Sequence, residues 1–274
     1  MRLFYYRDEL LYCHHSRDES PRSEDFKMHA HDMLEIYCFL SGGGSYLVEG
    51  VEYPLKPRDV MIMRAAETHK LVLRSGEPYE RIALHFSPAL LADLDPEGRM
   101  LAPFTERPLG RGNRFPAGSF PAGRFAACFG DFDRPDQPPW RLRLHALSRL
   151  LAVLGELADA GDRRSPGSGD GVDFAASVVG YVNAHLFGEL SLDAVSREFF
   201  MSKSQLERVF RRATGSPLWE YVQIKRLLSA RERIASGQSA SDAAADCGFC
   251  DYSAFYRAYR AHFGHSPRQD APRA

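Results

Sequence analysis

The sequence predicts a two-domain α+β protein, with an antiparallel β-barrel in the N-terminal domain and an all-α C-terminal domain. Short apolar segments separated by Gly and Pro turn signals occupy residues 33–86, which is typical of closely spaced antiparallel strands. Helical periodicity dominates from residue 172 onward. Between the two, residues 161–171 read GDRRSPGSGDG, the composition of a flexible linker. We therefore expect domains at 1–160 and 172–268.

The predicted barrel covers about residues 26–86. Its expected strands read MLEIYCFL, SYLVE, VEYPL, VMIM and YERIALHF. Farther along, leucines recur every three or four residues between positions 141 and 158, which predicts an amphipathic helix. The apolar stripe of this helix could pack on the barrel or against a second copy of the chain.

Composition limits the class of protein. The first residues lack the continuous apolar stretch of a signal peptide, and no segment approaches the roughly 20 apolar residues of a membrane span. Five scattered cysteines fit a reducing compartment better than a disulfide framework. These features predict a cytoplasmic protein without a membrane partner. The net charge of −1 does not by itself indicate a nucleic-acid partner.

Two segments of the C-terminal domain resemble each other. In the first, Ser191 can cap a short helix and Ser202 a longer one, which Gly215 ends. The second repeats this order with caps at Ser239 and Asp251. Each segment is a short helix, a tight turn and a longer helix, so we predict two helix-turn-helix units.

The outward faces of the two longer helices carry the same residue types. At about 100° per residue, the face opposite the apolar one presents a serine and two arginines in each helix. These residues are Ser204, Arg208 and Arg211 in the first helix, and Ser253, Arg257 and Arg260 in the second. Arginines on one stripe suit phosphate contacts and bidentate recognition of guanine, although a solvated arginine-rich face is the alternative.

The segment between the units reads as one continuous helix from Pro217 to Ala235. Its nineteen residues, at about 1.5 Å each, span roughly 28 Å. Successive major grooves on one face of B-DNA lie roughly 34 Å apart. A spacer of this length would let one chain contact two adjacent grooves.

The last hundred residues resemble the AraC/XylS-type transcription regulators. The resemblance rests on LSLDAVSREFFMSKSQLERVFRRATGSPLWEYVQIKRLLSA and on AADCGFCDYSAFYRAYRAHFGHSP. It implies that the helices starting at Ser202 and Asp251 are recognition helices. The implied DNA-contacting positions are Lys203, Ser204, Glu207, Arg208, Tyr252, Ser253, Tyr256 and Arg257; the face argument adds Arg211 and Arg260 as phosphate contacts.

One departure from the family pattern affects backbone geometry. Phe200 stands where the family usually has a turn glycine, which predicts a strained positive φ or a different turn.

Residues 26–86 resemble the cupin barrel. The residues that carry this resemblance are His29, His31, Glu35 and His69. We predict that they line an effector site, while purely structural use and a divalent metal held by imidazole and carboxylate ligands stay open. No cofactor is predicted.

Together these features predict a sequence-specific, DNA-binding transcription regulator whose N-terminal barrel senses a small molecule. The expected partners are double-stranded DNA, an effector of unknown identity, a second copy of the chain and, for an activator, RNA polymerase. The alternative is a metal-dependent cupin enzyme with an appended helical domain. That alternative requires a bound metal.

Overall fold

The structure is a computed structural model that describes residues 1–130, 137–162 and 174–272. The chain divides into two compact units. Unit 1 comprises Met1–Lys27, Met33–Val48 and Glu52–Asp170, and unit 2 comprises Met28–Asp32, Glu49–Val51 and Gly171–Ala274. From residue 163 onward, the predicted linker lies outside the described residues.

Unit 1 is built on two antiparallel sheets. The strands are β1 Arg2–Arg7, β2 Leu11–Asp18, β3 Leu34–Ser41, β4 Gly44–Val48, β5 Val51–Pro54, β6 Val60–Met63, β7 His69–Leu73, β8 Tyr79–Phe86 and β9 Arg114–Phe115. Six of them form one sheet in the order β1-β2-β8-β3-β6-β9, and three form a second in the order β5-β4-β7. Strands β1 and β2 precede the region in which the sequence predicted strands.

The predicted closed barrel is not confirmed. Strand β3 pairs with β6 and β8, whereas β4 pairs with β5 and β7, so hydrogen bonding between described strands stays within each sheet. Closure of a barrel requires a continuous ring of paired strands. The coarser prediction, an N-terminal domain made mainly of antiparallel strands, is confirmed.

One face of the six-stranded sheet is apolar and packs on a long helix. Leu11, Ile36, Leu84 and similar side chains of this face are buried. The helices of unit 1 are α1 Ala102–Thr105, α2 Ala122–Phe129 and α3 Pro139–Asp162. The leucine stripe of α3 meets the sheet in the same apolar cluster. This is one of the two packings that the leucine periodicity left open, the helix against the strands.

The opposite face of the same sheet is polar and aromatic. Because side chains alternate along a strand, the register places Glu35 of β3 opposite His85 of β8, and His85 opposite Tyr12 of β2. The same register puts His14, Tyr37 and Arg81 on this side. We call the set Tyr12, His14, Glu35, Tyr37, Arg81 and His85 the polar face.

A buried carboxylate organises the loops at one edge of unit 1. Glu67 has no solvent exposure and accepts hydrogen bonds from the Arg107 guanidinium at 2.5 and 2.8 Å. The backbone N–H of Gly110 and the side-chain amide of Asn113 also donate to it. Burial alone would raise the pKa of Glu67, but these donors, Arg107 above all, outweigh burial and lower it.

Unit 2 contains the predicted pair of helix-turn-helix units. Its helices are α4 Phe174–Ala184, α5 Leu192–Glu198, α6 Lys203–Thr214, α7 Leu218–Ala235, α8 Ala240–Asp246 and α9 Tyr252–Phe263. Two apolar clusters lie along α7. The first joins α4, α5, α6 and the start of α7, and the second joins the end of α7 to α8 and α9.

Unit 2 also encloses a buried ion pair. Lys225 of α7 is 4% exposed and its Nζ lies 2.5 Å from Oε1 of Glu49, which is 3% exposed. The Tyr221 hydroxyl donates to the other carboxylate oxygen of Glu49. The carboxylate is therefore satisfied on both oxygens, as burial of a charge requires.

Within the described ranges, no helix combines the length and the apolar character needed to cross a bilayer.

Candidate functional site

The first helix-turn-helix unit has a hydrogen-bonded cap at the start of each helix. The Ser191 side chain accepts from the Ala194 N–H at the start of α5. At the start of α6, Ser202 and Gln205 form a reciprocal capping box. Gly215 ends α6 with a left-handed φ of 79°. These local signals fix where the predicted recognition helix begins and ends.

The second unit repeats this arrangement with different residues. Ser239 caps α8, and the Asp251 carboxylate accepts from the N–H groups of Ser253 and Ala254 at the start of α9. Gly264 ends α9 at φ 78°, close to the value at the end of α6. The duplication seen in the sequence is therefore a duplication of backbone geometry as well.

The two predicted recognition helices, α6 and α9, each bury one face and expose the other. Leu206 and Phe210 of α6, and Phe255 and Tyr259 of α9, have no measurable exposure. The predicted outward residues are all exposed: Ser204, Arg208, Arg211, Ser253, Arg257 and Arg260. The structure thus presents two serine–arginine stripes to solvent.

The four arginines of these stripes form no ion pair with any other residue that the structure describes. Arg233 on α7 is different, because its guanidinium lies 3.1 Å from the Asp246 carboxylate. An exposed guanidinium without a carboxylate partner keeps all its donors available for phosphate or guanine.

The other predicted contact residues have partners within unit 2. Lys203 Nζ lies 2.7 Å from Asp193 Oδ1, between two exposed side chains. The Glu207 carboxylate accepts from the N–H of Leu218 at 3.4 Å, a long contact at the start of α7. Tyr252 is 44% exposed, while Tyr256 is half-buried. Of these positions, Glu207 alone has a competing structural contact with the spacer helix.

Arg226 was not among the predicted DNA contacts. It connects the two helix-turn-helix units of unit 2. From α7, its Nε donates to the Leu186 carbonyl at 2.8 Å and its Nη1 to the Gly248 carbonyl at 2.6 Å. Its Nη2 donates to the Gly188 carbonyl at 3.1 Å. One guanidinium thus joins the chain after α4 to the turn between α8 and α9. Three separate carbonyls on one side chain could not be inferred from sequence spacing.

The turns of the two helix-turn-helix units have the same backbone hydrogen bonds but are built from different residues. In the first, Phe200 N–H donates to Arg197 and Met201 N–H to Ser196; in the second, Gly248 and Phe249 make the equivalent bonds. Phe200 has φ 52° and Gly248 has φ 81°. The predicted positive φ at Phe200 is confirmed. Its side chain is 97% exposed, so packing does not compensate for the strain.

In unit 1, two of the predicted effector residues meet on the interior side of the sheets. Glu35 Oε2 lies 2.9 Å from Nε2 of His69, and both residues are buried. His85 Nδ1 lies 3.9 Å from the same oxygen. Burial opposes charge on His69, but Glu35 outweighs burial and raises the pKa of the imidazole.

The other two predicted effector residues, His29 and His31, lie in the segment Met28–Asp32 of unit 2. His29 is exposed and His31 is half-buried, and their ring centroids are 6.0 Å apart. The effector role of these four residues remains a prediction.

The polar face holds functional groups that the sequence did not reveal. The Tyr37 and Tyr79 hydroxyls are hydrogen-bonded to each other, and the Tyr37 ring lies 4.7 Å from that of Tyr46. His14 is neutral at ordinary pH, because burial and the neighbouring Arg81 charge lower its pKa to about 3. The alternation in YERIALHF puts Arg81 and His85 on one face, but only the pairing of β2 with β8 brings His14 there.

Two family models match the chain. The model described as "AraC-like ligand binding domain" matches residues 17–162, more than half of the 274 residues. The model described as "Helix-turn-helix domain" matches residues 195–271. The chain therefore belongs to the AraC family of transcription regulators, DNA-binding proteins with an N-terminal ligand-binding domain.

Curated relatives match about a third of the chain. "Regulatory protein SoxS" of Salmonella typhimurium is 30% identical over 92 residues, which are 33% of this chain and 86% of SoxS. "HTH-type transcriptional activator RhaS" of Escherichia coli is 32% identical over 92 residues, 33% of this chain and of RhaS. An AraC-type transcriptional regulator structure from Chromobacterium violaceum is 30% identical over 34% of this chain and 84% of its own, with TM-score 0.32. The two curated relatives, SoxS and RhaS, are regulators by their names and not enzymes.

Proposed function

We propose that α6 and α9 each enter a major groove of one duplex, and that the two grooves are adjacent. The observation that supports this most is the pair of exposed, unpaired arginine stripes on two equivalently capped helices. The 18-residue α7 between them is about 27 Å long. Arg208 and Arg257 contact base edges, and Arg211 and Arg260 contact phosphates.

The remaining predicted positions make further DNA contacts beside the two base-contacting arginines. Ser204 and Ser253 lie in the first turn of their helices, where a hydroxyl can reach a phosphate. Lys203, Glu207, Tyr252 and Tyr256 complete the two contact surfaces. For Glu207 this requires release of its long bond to the Leu218 N–H on DNA binding.

The test starts from a duplex selected out of a random pool by the full chain. We expect Arg208→Ala and Arg257→Ala each to relax base preference in a different half of the selected site, at a cost of about 1–3 kcal/mol. Arg211→Ala and Arg260→Ala should weaken binding to all sequences and reduce the slope of log K against log salt by about 0.9 each. Arg233→Ala, on the spacer helix, is the matched control and should leave both quantities unchanged. Wild-type base preference in both Arg208→Ala and Arg257→Ala would refute the assignment.

Unit 1, in this proposal, binds a small effector on its interior side, with Glu35 and His69 among the contacts. Effector binding then changes the affinity of the chain for DNA. If the chain is an activator, RNA polymerase is a further partner.

The same proposal includes a homodimer formed through α3. Trp140 and Leu144 are 61% and 59% exposed on this helix, whereas Leu150 and Leu154 are fully buried against the sheet. Light scattering on the wild-type chain and on a Trp140→Ser/Leu144→Ser variant measures the mass. Dimer dissociation in the variant supports the α3 interface, and an unchanged mass contradicts it.

A further inference from the structure

The two predicted recognition helices share one exposed stripe and differ in the stripe beside it. Each helix presents a serine and two arginines to solvent. On one flank of that stripe lie two further positions, which are Lys203 and Glu207 in α6 and Tyr252 and Tyr256 in α9. Residues four apart are neighbours along one side of a helix. The flank of α6 therefore carries a charged pair where the flank of α9 carries two phenol rings.

The side chains of the two pairs are placed alike. Lys203 and Tyr252 are exposed, and Glu207 and Tyr256 are half-buried. Each pair lies in the first two turns of its helix, directly after the N-cap. The N-terminal residues of a recognition helix are the ones that contact base edges. The two helices thus differ at positions that would meet bases.

Neighbouring rings hold the tyrosine pair in place. The ring centroid of Tyr252 lies 5.7 Å from that of Phe255, which is fully buried, and 6.4 Å from that of Tyr256. Tyr252 nevertheless keeps 44% of its surface exposed. A side chain that is already held loses little conformational entropy when a second surface packs on it. The pair is a preformed aromatic surface beside the serine–arginine stripe of α9.

Thymine is the base that an aromatic surface can distinguish in a major groove. Its 5-methyl group is an apolar substituent, whereas the other bases are recognised there by their hydrogen-bond donors and acceptors. A ring packed on this methyl group removes it from water. The pair on α6 ends in an ammonium and a carboxylate and offers no ring. A methyl group on the base therefore matters more to α9 than to α6.

The phenol hydroxyls offer a different contact. Neither the Tyr252 nor the Tyr256 hydroxyl is hydrogen-bonded to another residue in the described ranges. A hydroxyl could donate to a phosphate, but phosphate contacts do not distinguish bases. Replacing tyrosine by phenylalanine removes the hydroxyl and keeps the ring, so the two contacts can be separated.

We propose that α9 recognises thymine through Tyr252 and Tyr256, whose rings pack on the thymine 5-methyl group, and that α6 makes no such contact. This inference rests on the proposed function, in which both helices enter major grooves, and it specifies the base that one of them recognises. The half-site of α9 then combines thymine with the base that Arg257 contacts.

The probe is uracil, which differs from thymine only by lacking the 5-methyl group. The full chain is titrated by fluorescence anisotropy with the duplex selected from the random pool, whose half-sites are assigned by Arg208→Ala and Arg257→Ala. Uracil in place of thymine should weaken binding about threefold to fivefold per contacted methyl in the α9 half, the effect of burying one such group. The same replacement in the α6 half should leave binding unchanged. A selected α9 half without thymine, no loss with uracil there, or an equal loss in both halves would overturn the proposal.

Variants then separate the rings from the hydroxyls. Tyr252→Phe/Tyr256→Phe should retain the difference between thymine and uracil, whereas Tyr252→Ser/Tyr256→Ser should abolish it. Unchanged base preference in the α6 half shows that the serine variant is folded. The matched control is Lys203→Ser/Glu207→Ser, which makes the same replacement on α6 and should leave the thymine–uracil difference in the α9 half intact. Loss of that difference in the phenylalanine variant or in the control, or its persistence in the serine variant, contradicts the ring contact.

Failure of this inference and failure of the proposed function give different results. Wild-type base preference in both Arg208→Ala and Arg257→Ala refutes the proposed function itself. Relaxed preference in those two variants, without a thymine–uracil difference in the α9 half, refutes the thymine contact alone.

Discussion

Replacing Phe200 by glycine should stabilise unit 2, an unusual direction for loss of an aromatic side chain. At φ 52° the Phe200 backbone is in the left-handed region, which costs a non-glycine residue about 1–2 kcal/mol. The side chain is 97% exposed, so its removal exposes almost no apolar surface. Glycine adds backbone entropy to the unfolded chain, which costs about 0.5–1 kcal/mol. The difference between these two terms is a gain of about 0–1.5 kcal/mol.

Replacing the turn glycine of the second helix-turn-helix unit should change the stability in the opposite direction, to a loss. A Cβ at Gly248, where φ is 81°, would lie 2.8 Å from the Arg226 guanidinium carbon. Gly248→Ala therefore adds backbone strain and displaces a side chain that holds three carbonyls. Losing one of these bonds from a charged donor costs about 1.5–3 kcal/mol. We expect a net loss of about 2–4 kcal/mol.

Urea unfolding followed by tryptophan fluorescence measures both effects. The chain has two tryptophans, so a Trp140→Phe background leaves Trp219 as the reporter of unit 2. The matched control is Phe187→Gly, which removes an exposed phenylalanine at a position without positive φ and should destabilise. If Phe200→Gly lowers the unfolding midpoint as Phe187→Gly does, the strain argument is wrong.

Three further substitutions test other parts of the fold. Glu67→Gln should reduce the loss of unfolding free energy that the wild-type chain shows as pH falls. The pKa of Glu67 is lowered in the folded state. Its stabilisation is therefore present above the unfolded pKa and is lost as pH falls through the folded pKa. Thermal unfolding between about pH 2 and pH 6, which spans the unfolded pKa of a carboxylate and the lower values of the folded state, measures it. Arg226→Lys should cost about 1–3 kcal/mol in urea unfolding and weaken binding to a two-groove duplex more than to a single-groove one, by gel shift. Leu154→Ala, at a fully buried site, should cost about 2–5 kcal/mol by chemical unfolding, whereas Leu144→Ala, 59% exposed, should cost far less.

The helical unit could be predicted closely because its signals are local. Ser202, Asp251 and the glycines that end α6 and α9 act within one turn of the residues they cap. The identity of the two outward stripes follows from helical periodicity alone. The positive φ of Phe200 could also be predicted, because the family that this sequence resembles usually has a turn glycine at that position.

The N-terminal sheets were harder to predict because their pairing is non-local. Strand β8 lies between β2 and β3, and β2 pairs across more than sixty residues of chain, from Leu11↔Phe86 to Asp18↔Tyr79. The sequence segment of β2, LYCHHSRD, has no clean alternation of apolar and polar residues. Only the register brings His14 to the face of Arg81, so the polar face could not be assembled from strand patterns.

The arrangement of the two DNA-binding units depends on a few polar contacts more than on one continuous core. The apolar residues of α7 are divided between two clusters, Leu218 to Val222 in the first and Leu227 to Ile234 in the second. Arg226 lies at the junction and bonds to carbonyls on both sides. In the second helix-turn-helix unit, the buried side chains of α8 are mainly alanines. Burial of apolar area therefore stabilises this unit less than it stabilises the first. Its orientation therefore depends more strongly on Arg226, and under the proposed function a change there should alter base preference in the half-site assigned to α9 before the half-site assigned to α6.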